Sequence, residues 1–253
     1  MPNKTVNYFR LGTFFLIAVV GSNIFRFNVF KTTELIQKLP PWQFVTATAL
    51  LEGCGVLIAA LIALYQLRKE RKITISFFGT SYIKSLMMAI IPIALLTIIG
   101  VKNNYGMTNY LYGFVAVFFG LIYCIMEEFG WRGYLEEEFK YINPYKKYVL
   151  IGFLWYMWHL SFLTDATFLN NMLFLMLMIL SSWGIGQVIT LTKSILASAC
   201  FHLIIQIMMF NSLIKNGLSS SQKLIIFGIT VLIYIAILQA WKKQDAIASS
   251  KNA

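Results

Sequence analysis

Residues 109–139 read NYLYGFVAVFFGLIYCIMEEFGWRGYLEEEF. From Asn109 to Met126 the stretch carries no charge, and then two glutamates stand side by side, Glu127 and Glu128. About 20 apolar residues cross the hydrocarbon core of a bilayer as a helix, so this run predicts a membrane helix. No breaker other than single glycines occurs before Tyr141-Ile142-Asn143-Pro144, and the helix is expected to continue through Glu127 to about residue 139. At 1.5 Å per residue, Glu127 then lies roughly 18 Å from the charged end of its own helix. A carboxylate at that depth costs several kcal/mol unless it is paired or hydrated, so it marks a functional candidate.

The remainder of the chain agrees with a lipid solvent. Of 253 residues, 58% are hydrophobic and 12% charged, and the mean hydropathy is +0.71. A soluble domain carries about 25% charge, and one this apolar could not cover its surface with polar groups. The same composition excludes disorder. Apolar runs fall near 11–29, 43–66, 82–101, 107–127, 148–164, 169–190, 194–211 and 223–241. The expected fold is all-α: a polytopic membrane protein of about eight transmembrane helices, forming one integral-membrane domain over residues 1–253. The first run follows Lys4 and Arg10 as in a signal peptide, but it lacks a small-residue cleavage site and is read as a helix.

Charge sets the orientation. With eight spans, fifteen Lys and Arg fall on one side and six on the other, which puts both termini in the cytoplasm. The net charge of +11 is thereby a topology signal, and no clustered basic face suggests nucleic acid as a partner. Sixteen Lys against five Arg, with many Ile and Asn, point to an AT-rich bacterial source and a bacterial cell membrane. Cys54, Cys124 and Cys200 each lie in an apolar run and read as small buried hydrophobes.

Five of the ten carboxylates (Glu127, Glu128, Glu136, Glu137, Glu138) lie within twelve residues, and both histidines, His159 and His202, lie inside apolar runs. Counted from the nearest lysines, His159 is roughly 18 Å deep and His202 roughly 13 Å deep. Three helices thus bring two carboxylates and two imidazoles to one level, expected around a water-filled pocket open to the cytoplasm. Glu128 and Arg132 are spaced i, i+4 and can pair, whereas Glu127 projects about 100° away, toward the pocket. His202 and Gln206 share a stripe, which offers a base and a neutral donor suited to acyl transfer. Glu136-Glu137-Glu138 reads as a solvated face at the pocket mouth or membrane surface. Glu52, mid-run, reads as lining the same cavity, opposite Arg132. Trp155 and Trp158 read as packing residues, and Gly53, Gly55, Gly184, Gly186 and Ser181-Ser182 as sites of close helix contact.

Glu127-Glu128-Phe129-Gly130-Trp131-Arg132 resembles the E-E-x-x-x-R motif of the type II CAAX prenyl protease and bacteriocin-processing (CPBP, or Abi) family. Trp155-Tyr156-Met157-Trp158-His159 is similar to its second motif, an aromatic residue four before a histidine, with Trp where Phe is usual. His202-Leu203-Ile204-Ile205-Gln206 is similar to its H-x-x-x-N, with Gln in place of Asn. The resemblance covers about residues 107–211. It implies an intramembrane endopeptidase in which Glu127, with His202, activates water for attack on a peptide carbonyl. His159 and Gln206 would form the oxyanion hole, and Glu128 and Arg132 would support the site. The expected partners are membrane lipid and a peptide or small membrane-protein substrate.

Other readings stay open on the residues alone. His159, His202 and Glu127 would make a His2Glu zinc set, but there is no H-E-x-x-H and no free base once Glu127 is a ligand, so no cofactor is expected. A non-catalytic self-immunity or scaffold protein could use the same fold. A proton-coupled transporter would show inverted repeats, which the sequence does not.

Overall fold

A computed structural model describes residues 5–160, 167–209 and 211–251. Lys4, and residues 161–164 of the fifth apolar run, lie outside that range. The described elements are helical: α1 (Tyr8–Arg26), α2 (Thr32–Ile36), α3 (Pro41–Glu70), α4 (Tyr82–Ile99) and α5 (Asn109–Glu128). A π-helical turn (Phe129–Tyr134) joins α5 to α6 (Leu135–Glu138), and α7 (Pro144–Trp158), α8 (Phe168–Thr192), α9 (Ile195–Met209), α10 (Ser212–Lys215) and α11 (Ser220–Lys251) follow.

Each apolar run has become a helix, and the polar punctuation has become caps. Asn7, Ser81, Thr108, Asn143 and Thr167 each accept a hydrogen bond from a backbone N–H of the helix that follows. Pro41 and Pro144 open α3 and α7 at the first turn, where a missing N–H costs nothing. Six segments are long and apolar enough to cross a membrane: α1, α3, α4, the α5–α6 unit, α8 and α11. The chain is an integral, multi-pass membrane protein. The fifth and seventh runs give 15-residue helices, α7 and α9. At about 22 Å they fall short of a hydrocarbon core of about 30 Å.

Two clusters form the interior. One gathers α4, α5, α9 and α11 around residues such as Met88, Ala116, Leu203 and Tyr234. The other gathers α1, α3, α7, α8 and the π turn around Phe14, Val56, Trp131 and Trp155. The α5–π–α6 unit belongs to both, which places the paired glutamates at the seam. α1 crosses α3 at glycines: a Cβ on Gly55 would stand 2.5 Å from Ser22 N, and one on Gly21 would stand 2.8 Å from Gly55 Cα. Gly55→Ala is therefore expected to push α1 off α3 and lower stability by about 1–3 kcal/mol, read as a lower melting temperature in detergent. An unchanged melting temperature would mean that the crossing is loose. Gly53 and Gly186 are similarly tight, against Met126 and Tyr148. Gly184 differs from its expected role, because among the described residues nothing lies within 4 Å of its Cβ position.

The bundle has two distinct ends. At one, Arg71 donates to Thr5 O, Ser76 N donates to Lys193 O, and the Trp241 indole donates to Thr80. The N-terminal segment and the end of α11 thus lie together there. At the other, Lys102 N donates to Gly217 O and Tyr112 donates to Leu213 O. These are termed the near and far ends.

The near end corrects one expectation. Glu136, Glu137 and Glu138 are buried, not solvated. Glu138 lies 2.7 Å from Arg10 Nη2, accepts from Arg10 Nε and Asn7 N, and meets Arg71 at 3.5 Å. Glu137 accepts from the backbone N–H groups of Thr74 and Ile75 and from the Thr74 hydroxyl, while Glu136 pairs with Lys147. The cause is position: the triplet follows directly on a buried helix, and each carboxylate finds a donor from a different segment. These carboxylates fasten the near end.

Candidate active site

The π turn builds the centre of the site. It begins immediately after Glu128, and residues four apart on a helix lie on one face. Two such pairs form. The Trp131 indole N–H donates to Glu127 Oε2 at 3.1 Å, and Arg132 donates to Glu128 Oε1 at 3.0 Å. Helix α7 supplies a second indole, from Trp155, which donates to the same Glu127 Oε2 at 3.0 Å. Helix α9 brings His202, whose Nδ1 lies 2.9 Å from Glu128 Oε1, close but poorly directed for a hydrogen bond. Such bonds often tighten only when substrate is bound. The Arg132 guanidinium stacks over the Trp155 ring at 4.8 Å, and the Trp155 ring meets the His202 ring edge-on.

Glu127, Glu128 and Arg132 are all sealed from solvent, at 0%, 0% and 1% exposure. Their remaining atoms show where something more could bind: Glu127 Oε1, Glu128 Oε2 and Arg132 Nη2 are buried with no hydrogen-bond partner among the described residues. A charge-bearing group left like this in an apolar interior is costly, and such sites are typically functional.

A cavity of about 190 Å³ lies beside this cluster, lined in part by Arg26, Glu52, Tyr123, His159, Gln206 and Asn211. It contains two of the six residues singled out in the motifs, His159 and Gln206. The other four, Glu127, Glu128, Arg132 and His202, form the buried cluster, with Tyr123, one helical turn before Glu127, at the boundary. His159 caps the end of α7, and its Nδ1 lies 2.9 Å from Trp155 O. A carbonyl only accepts, so Nδ1 carries the proton in that contact.

Two further expectations need correction. The cavity does not open toward the near end: Arg26 ends α1, and Asn211 follows α9, both at the far end. The near-end route is blocked because Trp131, Tyr134 and Leu135 are fully buried and Phe14 packs on Trp131 and Tyr134. Glu52 does line the cavity, but it faces Arg26 instead of Arg132, since Arg132 is consumed by Glu128 and Trp155.

Among the described residues, no three His, Cys, Asp or Glu side chains converge as a metal-binding group. His159 turns to a backbone carbonyl and His202 to Glu128, so the pair does not share a centre with Glu127. Trp155, read from the sequence as a packing residue, is also a hydrogen-bond donor to the site, and the residues that composition and motif did not reveal are the indole donor Trp131, and Arg26 with Tyr123. Trp131 was within reach of the i, i+4 rule that pairs Glu128 with Arg132. Arg26 stands at the end of an apolar run, where a cation ordinarily marks only the membrane surface.

No curated protein and no solved structure matches the chain. Residues 108–208 match the family model described as Type II CAAX prenyl endopeptidase Rce1-like, a segment that contains every one of the six motif residues. Across that segment, the chain is similar to the Rce1-like type II CAAX prenyl endopeptidases.

Proposed function

We propose that the protein is an intramembrane endopeptidase that hydrolyses a peptide bond of a membrane-associated peptide or small protein with an activated water. The observation that carries this is Glu127: a carboxylate enclosed in a membrane helix, with one oxygen gripped by two indole N–H groups and the other buried with no directed hydrogen bond among the described residues. The indoles bond the ionised form and hold it ready, while Oε1 is the acceptor available for the proton of a water. Glu128 serves differently. It takes Arg132 and His202 on one oxygen and so orients that imidazole.

His159 lines the cavity at the end of α7, with Nδ1 turned to the Trp155 carbonyl, and supports the site from that wall. Gln206, across the same cavity, supplies an amide donor for the oxyanion. Water attacks the carbonyl carbon, its proton passes to Glu127, and the departing amine takes that proton back. The substrate reaches the cavity within an eight-span bundle with both termini in the cytoplasm of a bacterial cell.

The direct test is mass spectrometry of small membrane-associated peptides with and without the protein, followed by cleavage of each candidate by purified protein. Loss of one peptide and accumulation of its precursor on deletion is the expected result; an unchanged peptide profile would refute it. The carboxylate mechanism also predicts that cleavage survives chelators, because Glu127 acts as base and not as ligand. One tightly bound zinc per chain, with activity lost on its removal and restored on its return, would overturn that assignment.

A further inference from the structure

Helix α7 stops abruptly at Trp158, and the residue after it is His159. Two side chains of α1, outside the segment matched by the family model, meet that stop. The Trp158 carbonyl, which a continuing helix would use internally, accepts from Leu160 N just beyond it at 3.0 Å, and from Asn23 Nδ2 at 3.2 Å and Arg26 Nη1 at 3.3 Å on α1. The Arg26 guanidinium lies over the Trp158 ring, its Cζ 3.7 Å from the ring centre. The other arm of the same guanidinium, Nη2, lies 3.4 Å from the Tyr123 hydroxyl on α5. The Trp158 indole is in turn pinned to Ala18 O. Arg26 has no ion-pair partner within 4 Å among the described residues, and Glu52 faces it from the cavity wall.

We propose that Arg26 is a positioning residue for the reaction, fixing His159 at the end of α7 against Tyr123 and Glu127 on α5. The planar fork does this because its two arms reach the two walls at once: Nη1 the carbonyl adjoining His159, Nη2 the residue one turn before Glu127. An ammonium is a point charge without that fork, so lysine keeps the charge but not the bridge. Asn23 shares the load at the carbonyl only. Glu52 balances the charge without competing for either arm. This rests on the peptidase reading for its kinetic consequence, but not for its structural one.

The chain has two histidines, so imidazole-labelled protein in detergent gives two sets of ring signals, assigned with His202→Gln. In Arg26→Gln and Arg26→Lys, the His159 signals are expected to shift or broaden while those of His202 stay in place. With a cleaved peptide in hand, kcat should fall about 10–100-fold with KM within about twofold, the size expected when a catalytic group is misplaced by about an ångström. Arg26→Lys should not restore kcat, although added guanidinium should do so in part for Arg26→Gly. Unmoved His159 signals in folded Arg26→Lys, or equal movement of both histidines, would overturn the proposal. If wild-type protein cleaves nothing, the peptidase reading fails, and the histidine signals still decide whether Arg26 positions His159.

Discussion

Glu127→Gln is expected to reduce turnover by about 10²–10⁴-fold while leaving the melting temperature close to that of the parent. The amide oxygen can still accept from Trp131 and Trp155, so the two indoles keep their partner. The atom replacing Oε1 becomes an NH2 group, which cannot take a proton from water. A neutral amide is also cheaper than a carboxylate in a buried membrane site, so packing has no reason to fail. Cleavage by the purified variant, measured beside its thermal denaturation, checks both halves. Undiminished cleavage would remove Glu127 from the role of base.

Glu128→Gln should behave in the opposite way. Arg132 is 1% exposed and forms its ion pair with Glu128, so the substitution leaves a buried guanidinium without the carboxylate that it contacts. Removing one partner of a buried pair costs about 3–5 kcal/mol, and the amide oxygen recovers part of that. His202 loses its carboxylate neighbour in the same step. Lower melting temperature, lower yield and lost cleavage are expected together. If Glu128→Gln melts normally while Glu127→Gln unfolds, the two roles are exchanged.

The amino-acid pattern carried the helices and the local pairing, because both depend on short-range geometry. Uncharged runs became helices, α5 ran on past Glu127, and Glu128 met Arg132 four residues later. It did not carry the direction of the cavity or the fate of Glu136–Glu138. Those depend on which donors other segments bring, and Arg10, Arg71 and Thr74 lie more than sixty residues away from the triplet. Charge density alone reads such a triplet as wet. Arg26 escaped for a related reason: a cation at the end of an apolar run has an ordinary explanation at the membrane surface, and only the fold shows that α7 ends beside it.

The π turn has a further meaning when treated as a matter of phase. A continuous α-helix advances about 100° per residue, so the direction in which Glu138 points relative to Glu128 is set by the number of residues between them. The wide turn between them absorbs one residue without advancing the helix by that angle. Glu128 can thereby face Arg132 and His202 while Glu138, on the same helix, faces Arg10 and Arg71. Were the same residues wound as continuous α-helix, one carboxylate group would be rotated by about 100° away from its partners. Spacing there matters as much as side-chain identity, because the residue that the wide turn takes up is what lets both sets of partners be met from one helix.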